Sequence, residues 1–227
     1  MVNLHGSRLP RDRGGGGFSW RILRNDRLGC SLIHQIEPRI DAGSVLTVEE
    51  YLFPTACRIP IDFEQYKNER YAQLFKQFFK NIQNNKEFIP LNQTEYLSTY
   101  WPRLNTAIHS FIDWSWDVTN IERFICAFDD PYGGACTFLK KNLVQLKKCT
   151  VYTDDGIFHP FQAGLIYRIF AGKIFIAVEN GSLIVEEVLQ KDKRLDNNSF
   201  SVGDRFYTPR SYLDKALETK IIYTPEK

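Results

Sequence analysis

No apolar run in this 227-residue chain reaches the roughly 18 residues that a bilayer-spanning helix needs. The N-terminus is polar, glycine-rich and charged, so a signal-peptide pattern is missing too. Both absences predict a soluble, cytoplasmic protein without a membrane partner. No CxxC pair or Cys/His cluster has zinc spacing, and the five cysteines (Cys30, Cys57, Cys126, Cys136, Cys149) are odd in number and irregularly placed. They are expected to be reduced and buried as small apolar side chains, not to form a metal or disulfide framework. The glycine run Gly14–Gly17 is neither GxGxxG nor followed by GK[ST], which excludes the dinucleotide fingerprint and the P-loop. A net charge of +2 gives no overall cationic field.

What is present suffices for a core. Hydrophobic residues make up 43% and aromatics 14%, and the length suits one large domain or two small ones. The first half reads as α/β. "SWRILRND" predicts a short helix, "CSLIHQI" (30–36) and "SVLTVEEYLF" (44–53) predict strands, and "RIDAG" is the turn between them. A long helix is expected from Phe63 to Asn84, with Asp62 as N-cap and Tyr71, Leu74, Phe75, Phe78, Phe79 and Ile82 as its core stripe. The polar, proline-bearing segment from about Asn84 to Asn105 reads as a linker.

Beyond it, "VTNIERFICAF" predicts an amphipathic helix, and "ACTFL", "LVQLKKCTVYT", "GLIYRIF", "KIFIAV" and "SLIVEEVL" predict strands of a small β-barrel or sandwich. "ENGS" predicts a hairpin turn, and "YTPRSYLDKALE" a terminal helix with Thr208 as N-cap and Pro209 at its first position. The expected domains are 1–90, a linker 91–115, and 116–227.

The chemistry-bearing residues crowd the first 41 positions. Asn3 and His5 are two apart, so on an extended strand they point to one side. An imidazole can move a proton near neutral pH and an asparagine amide can donate to a developing oxyanion. Asp41, in a turn, can reach back to orient an imidazole. The same residues also have ordinary readings, a solvated terminal histidine and an aspartate serving its turn. Residues 1–27 hold six arginines and no lysine against Asp12 and Asp26; these forks either grip an anion or form a solvated face. The glycine run is either a flexible loop or a close approach of backbone to ligand. His34, His109 and His159 have no spacing partner and are expected to be structural.

Taken together, Asn3-x-His5, "SRLP" (7–10), Gly14 and "DAG" (41–43), with Asp41 38 positions after Asn3, resemble the 10-formyltetrahydrofolate-dependent formyltransferases. "YWPRLN", "FIDWSW" and "IERFICAFDDPYGGACTF" resemble the family's linker and the opening of its OB-like C-terminal domain, and "GLIYRIFAGKIFIAVENGSLIVEEVL" its closing hairpins. The resemblance departs at Arg8, where the family usually has leucine. It implies an α/β chain: the C-terminal part of a Rossmann-like formyltransferase domain, then a small OB-like β-barrel. Family members carry a long segment before this asparagine, so the sequence resembles the latter part of a longer enzyme.

What the resemblance implies for chemistry is transfer of a formyl group from 10-formyltetrahydrofolate to a primary amine, with no metal. Asn3 and His5 would stabilise the oxyanion and Asp41 would orient His5 or relay its protons. Ser7, Leu9, Pro10 and Gly14 would contact the folate, and Arg11 and Arg13 the acceptor. The acceptor expected first is a nucleotide-linked amino sugar. Initiator Met-tRNA is the alternative, and the lysines of the β region (Lys140, Lys141, Lys147, Lys148) are interspersed with Asp154, Asp155, Glu186 and Glu187. A non-catalytic remnant or partner-dependent piece, and a homo-oligomer, stay open.

Overall fold

The computed structural model describes residues 1–15 and 17–221. It divides into two compact units, one of Met1–Arg21 with Asp26–Arg103 and one of Ile22–Asn25 with Leu104 onward. Residues 91–103, expected as linker, therefore belong to the first unit.

Unit one begins with strand β1 (Val2–His5), a short β2 (Arg13–Gly14) and helix α1 (Gly17–Leu23), whose last two residues are counted with unit two. Strands β3 (Leu28–Gln35) and β4 (Val45–Leu52), helix α2 (Pro60–Gln83) and a short β5 (Tyr100–Trp101) follow. β1, β3 and β4 form an antiparallel sheet in the order β1-β3-β4. Its middle strand explains its own sequence: Gly29 to His34 are all buried, so Leu-Gly-Cys-Ser-Leu-Ile-His runs without polar alternation. β4, at an edge, alternates burial as a strand wetted on one face does. The short β2 pairs in parallel with β5, which ties the 100–103 segment back to unit one.

α2 starts three residues earlier than its sequence suggests. Pro60 takes the first turn, where a missing N–H costs nothing, and Asp62 sits inside that turn, its carboxylate accepting from the N–H groups of Arg58 (2.9 Å) and Ile59 (3.1 Å). Only part of the expected stripe is core. Leu74 and Phe78 are buried against Ile33, whereas Phe75, Phe79 and Ile82 are 42%, 48% and 46% exposed. At 100° per residue the six positions sweep an arc of about 140°, wider than the sheet beneath them covers.

In unit two, α3 (Thr106–His109) precedes α4 (Val118–Ala127), whose N-cap Asp117 accepts from Asn120 N–H at 2.8 Å. Strands β6 (Ala135–Leu139), β7 (Asn142–Tyr152), β8 (Ile166–Phe170), β9 (Lys173–Val178), β10 (Gly181–Gln190), β11 (Lys193–Arg194) and β12 (Phe206–Tyr207) form one sheet in the order β12-β6-β7-β10-β9-β8, with β11 on β10. Its two ends meet. Ile166 N–H donates to Asp204 O and Phe206 N–H to Gly164 O, both at 2.8 Å, so the sheet closes on itself. The β9–β10 hairpin turns at Asn180, in the left-handed region (φ 65°).

Helix α5 (Arg210–Glu218) starts one residue later than expected, with Pro209 at the cap position. The hydroxyl of Thr208 lies 3.2 Å from that of Thr137 and caps nothing. All five cysteines are free and buried. The sequence expectation for residues 222–227 lies outside the described residues. Among the described residues no helix is long and apolar enough to cross a membrane.

Candidate active site

The site grows from the register of two strands. β1 and β3 pair so that Asn3 lies opposite His34 and His5 opposite Leu32. Because side chains alternate, Asn3, His5 and His34 come to one face of the sheet. The rings of His5 and His34 meet edge to face with centroids 5.8 Å apart. The chain then leaves β3, turns through residues 36–44 and returns as β4, which carries Asp41 back over the pair. Asp41 Oδ1 lies 3.6 Å from His5 Nδ1 and 3.9 Å from His34 Nε2.

Two backbone details close this turn. Asp41 itself adopts φ 54°, a region Asp tolerates better than most side chains. At Gly43 any Cβ would overlap the carbonyl group of Gln35, so only glycine lets the turn come down on the end of β3. The Gln93 amide holds the turn from outside, donating to Asp41 O (2.9 Å) and Gly43 O (2.7 Å). Gln93 is held in turn by Arg13, whose Nη2 donates to its side-chain oxygen at 2.8 Å.

The arginines expected to grip an anion are largely engaged within the chain. Arg13 is buried and also bonds Glu95 and Ser98. Arg8 pairs with Asp26 (2.6 Å) and Asp12 (3.3 Å), and Arg27 donates to the carbonyls of Phe53 and Cys57. Arg11 remains exposed on its turn.

The remaining sequence candidates divide. Ser7 Oγ is 2.6 Å from His5 Nε2 and so joins the cluster. Leu9 packs on the core of Cys30, Leu32 and Val45, and Pro10 continues the same turn. Gly14 (φ 97°) serves the β2–β5 pairing, where a Cβ would run into Trp101 O; of the glycine run, residue 16 lies outside the described residues. His109 bonds Thr219 O and His159 accepts from Phe161 N–H, both structural as expected. His34 is different: its ring is 3% exposed and reaches Asn3 Nδ2 at 3.1 Å. Its period-two position on a strand is visible in the sequence, but its partner lies 31 residues away.

Burial is the main influence on His5 and lowers its pKa from the ordinary 6.5; the Asp41 carboxylate opposes this, while His34 and Lys67 reinforce it. The imidazole is therefore neutral at pH 7 and able to take a proton. Asp41 beside Nδ1 favours the proton on that nitrogen, which leaves Nε2 as the basic atom. His5, His34 and Asp41 bring ligand atoms within 4.8 Å of one another, close enough for a transition metal. However, His34 Nε2 already faces the Asn3 amide and Nδ1 the Gln35 carbonyl at 2.8 Å, so the set is organised by hydrogen bonds.

Residues 106–205 match the model of the formyl transferase C-terminal domain. The chain is 30% identical over 216 residues to methionyl-tRNA formyltransferase of Dechloromonas aromatica, covering 92% of this chain and 66% of that protein. The chain thus spans a little under two thirds of the length of the curated relatives it matches. Among solved structures it resembles HypX of Aquifex aeolicus (TM-score 0.65, 16% identity, 87% of this chain and 34% of that one). It also resembles the N-formyltransferase of Helicobacter canadensis, solved with folinic acid and dTDP-3-aminofucose (TM-score 0.62, 20% identity, 82% and 65%). The match of residues 106–205 to that C-terminal domain and the 30% identity over 216 residues place the chain in the formyltransferase family.

Proposed function

We propose that this chain carries the acid–base centre of an enzyme that moves a formyl group from 10-formyltetrahydrofolate to a primary amine. The observation that carries the reading is the convergence of Asn3, His5 and Asp41, with Asp41 on the Nδ1 side of His5 and burial favouring the neutral imidazole. In the proposed step the amine nitrogen bonds to the formyl carbon and the carbonyl electron pair moves to oxygen. The amine proton passes to His5 Nε2 as the Ser7 hydroxyl, 2.6 Å from that nitrogen, gives up its hydrogen bond there, and the resulting imidazolium is stabilised by Asp41. The Asn3 N–H and the His5 N–H then donate to the oxyanion. Collapse breaks the bond from the formyl carbon to the folate nitrogen, which leaves with the proton that the His5 imidazolium returns, so that His5 ends neutral. Unit one is the catalytic part in this reading and unit two an accessory domain.

For the acceptor, a nucleotide-linked amino sugar is the first choice. In unit two, Lys140 pairs with Asp204, Lys148 with Glu187, Arg168 with Asp155 and Lys173 with Glu186. Charge neutralised pair by pair makes a poor electrostatic footprint for a tRNA and suits a small acceptor. Initiator Met-tRNA is the second reading, favoured by the activity named for the curated relatives. The test is release of tetrahydrofolate from 10-formyltetrahydrofolate by the purified chain, offered nucleotide-linked amino sugars and initiator Met-tRNA in parallel. Turnover with a sugar nucleotide alone is expected. Efficient formylation of the tRNA would overturn the choice of acceptor, and silence with every amine would overturn the assignment of formyl transfer to this chain.

A further inference from the structure

An asparagine amide can serve an oxyanion only if its NH2 end, not its oxygen, points at the reacting atom. The two ends have nearly the same shape, so some neighbour must tell them apart. On Asn3, the side-chain hydrogen bond found among the described residues is the one to His34.

We infer that His34 is a positioning residue, which sets the donor end of the Asn3 amide through a hydrogen-bond relay anchored on the Gln35 carbonyl. The reasoning runs outward from that carbonyl. A carbonyl oxygen only accepts, so the His34 nitrogen 2.8 Å from it, Nδ1, carries the hydrogen. In the neutral ring Nε2 then holds a lone pair. The atom 3.1 Å from Nε2 must be a donor, which fixes that end of the Asn3 side chain as NH2. One N–H is used on His34 and the second remains for the oxyanion. Gln35 O is in turn held in place where Gly43 brings the Asp41 turn down upon it. The same carbonyl thus connects the orientation of Asn3 to the placement of Asp41. The ring is too buried for water to replace it as acceptor.

This inference rests on the formyl-transfer reading for its purpose, but its physical content is testable without turnover. Long-range proton–nitrogen NMR of the wild-type chain should show His34 as the Nδ1–H tautomer, and the Asn3 amide resonances, assigned with Asn3→Asp, should move in His34→Leu. Observation of the Nε2–H tautomer, or unchanged Asn3 amide resonances in His34→Leu, overturns the inference. In the transfer assay, His34→Leu should lower kcat by roughly a hundredfold, the cost of one lost oxyanion donor, with KM values changed less than about twofold. His34→Gln, whose carbonyl oxygen can again accept from Asn3, should recover about tenfold of that loss. Rescue no better than leucine, or a loss confined to KM, would reject the positioning role. A wild-type chain that transfers no formyl group sinks the reading of the reaction and leaves the NMR result to decide the hold of His34 on Asn3.

Discussion

At the scale of single residues the site is a problem of protons. His5 is buried enough that its neutral form is favoured, and this has a consequence for stability as well as for chemistry. Its folded-state pKa lies below the ordinary 6.5, so between those two values the unfolded chain binds the proton that the folded chain releases. Stability therefore rises with pH across that window, and the contribution is lost as pH falls below 6.5 through the folded value. Denaturant midpoints of wild type and His5→Gln at about pH 5.5 and about pH 7.5 check this, and the variant should show the weaker dependence. In turnover, His5→Ala should cost roughly 10²- to 10⁴-fold in kcat, the usual worth of a positioned general base, while the chain stays folded because His5 lies outside the apolar core. Near-wild-type turnover by that variant would remove His5 from the chemistry.

At the scale of elements, two contrasts are informative. α2 has a long apolar face, of which only the Leu74–Phe78 side is buried. Phe78→Ala should cost about 3–5 kcal/mol through the cavity it leaves, whereas Phe79→Ser, at a position that is 48% exposed, should cost about 1 kcal/mol or less. Equal losses in urea unfolding would contradict the packing described. The Asp41 turn is the second case. Its backbone is clamped by Gln93, and Gln93 by Arg13, a strut running from β2 through the 91–103 segment to the site. Gln93→Leu should loosen the turn and reduce formyl transfer roughly tenfold to a hundredfold, with little change in unfolding midpoint, since small misplacements of catalytic groups are expensive. Arg13 braces this turn through Gln93.

At the scale of the whole molecule, each unit builds its own core, and unit two contains a buried charge that shows how it is held. Lys147, nearly inaccessible, lies against Asp130 and within 3.7 Å of Asp129, whose side chain is 1% exposed. Asp129 also accepts from the N–H groups of Asp130 and Lys148, both at 2.7 Å. Lys147→Met would leave Asp129 buried without its cation, a loss of about 3–5 kcal/mol. Fluorescence of the buried Trp114 during denaturation would report it, and a shift worth less than about 1 kcal/mol would show that the pair contributes little. The same unit has the paired surface charges on which the preference for a small acceptor rests.

Local encoding accounts for what is legible in the chain's sequence. The α4 stripe, the hairpin at "ENGS" and the strands "ACTFL" and "KIFIAV" follow from a period of 3.6, from short apolar runs and from turn residues, all within a few positions of one another. Asn3, His5 and Asp41 are legible as a pattern, though the pattern alone does not say that they meet. Contacts across long separations are not legible. Asn3 faces His34 because β1 and β3 take one register out of several, Gln93 reaches Asp41 across 52 residues, and Arg8, Arg13 and Arg27 find acceptors within the chain. Amino-acid order thus specifies the elements and the chemical types available near the N-terminus. Which of those groups share a hydrogen bond is settled in three dimensions, because register and turn closure depend on packing summed over the whole unit, and no short stretch of chain contains that sum.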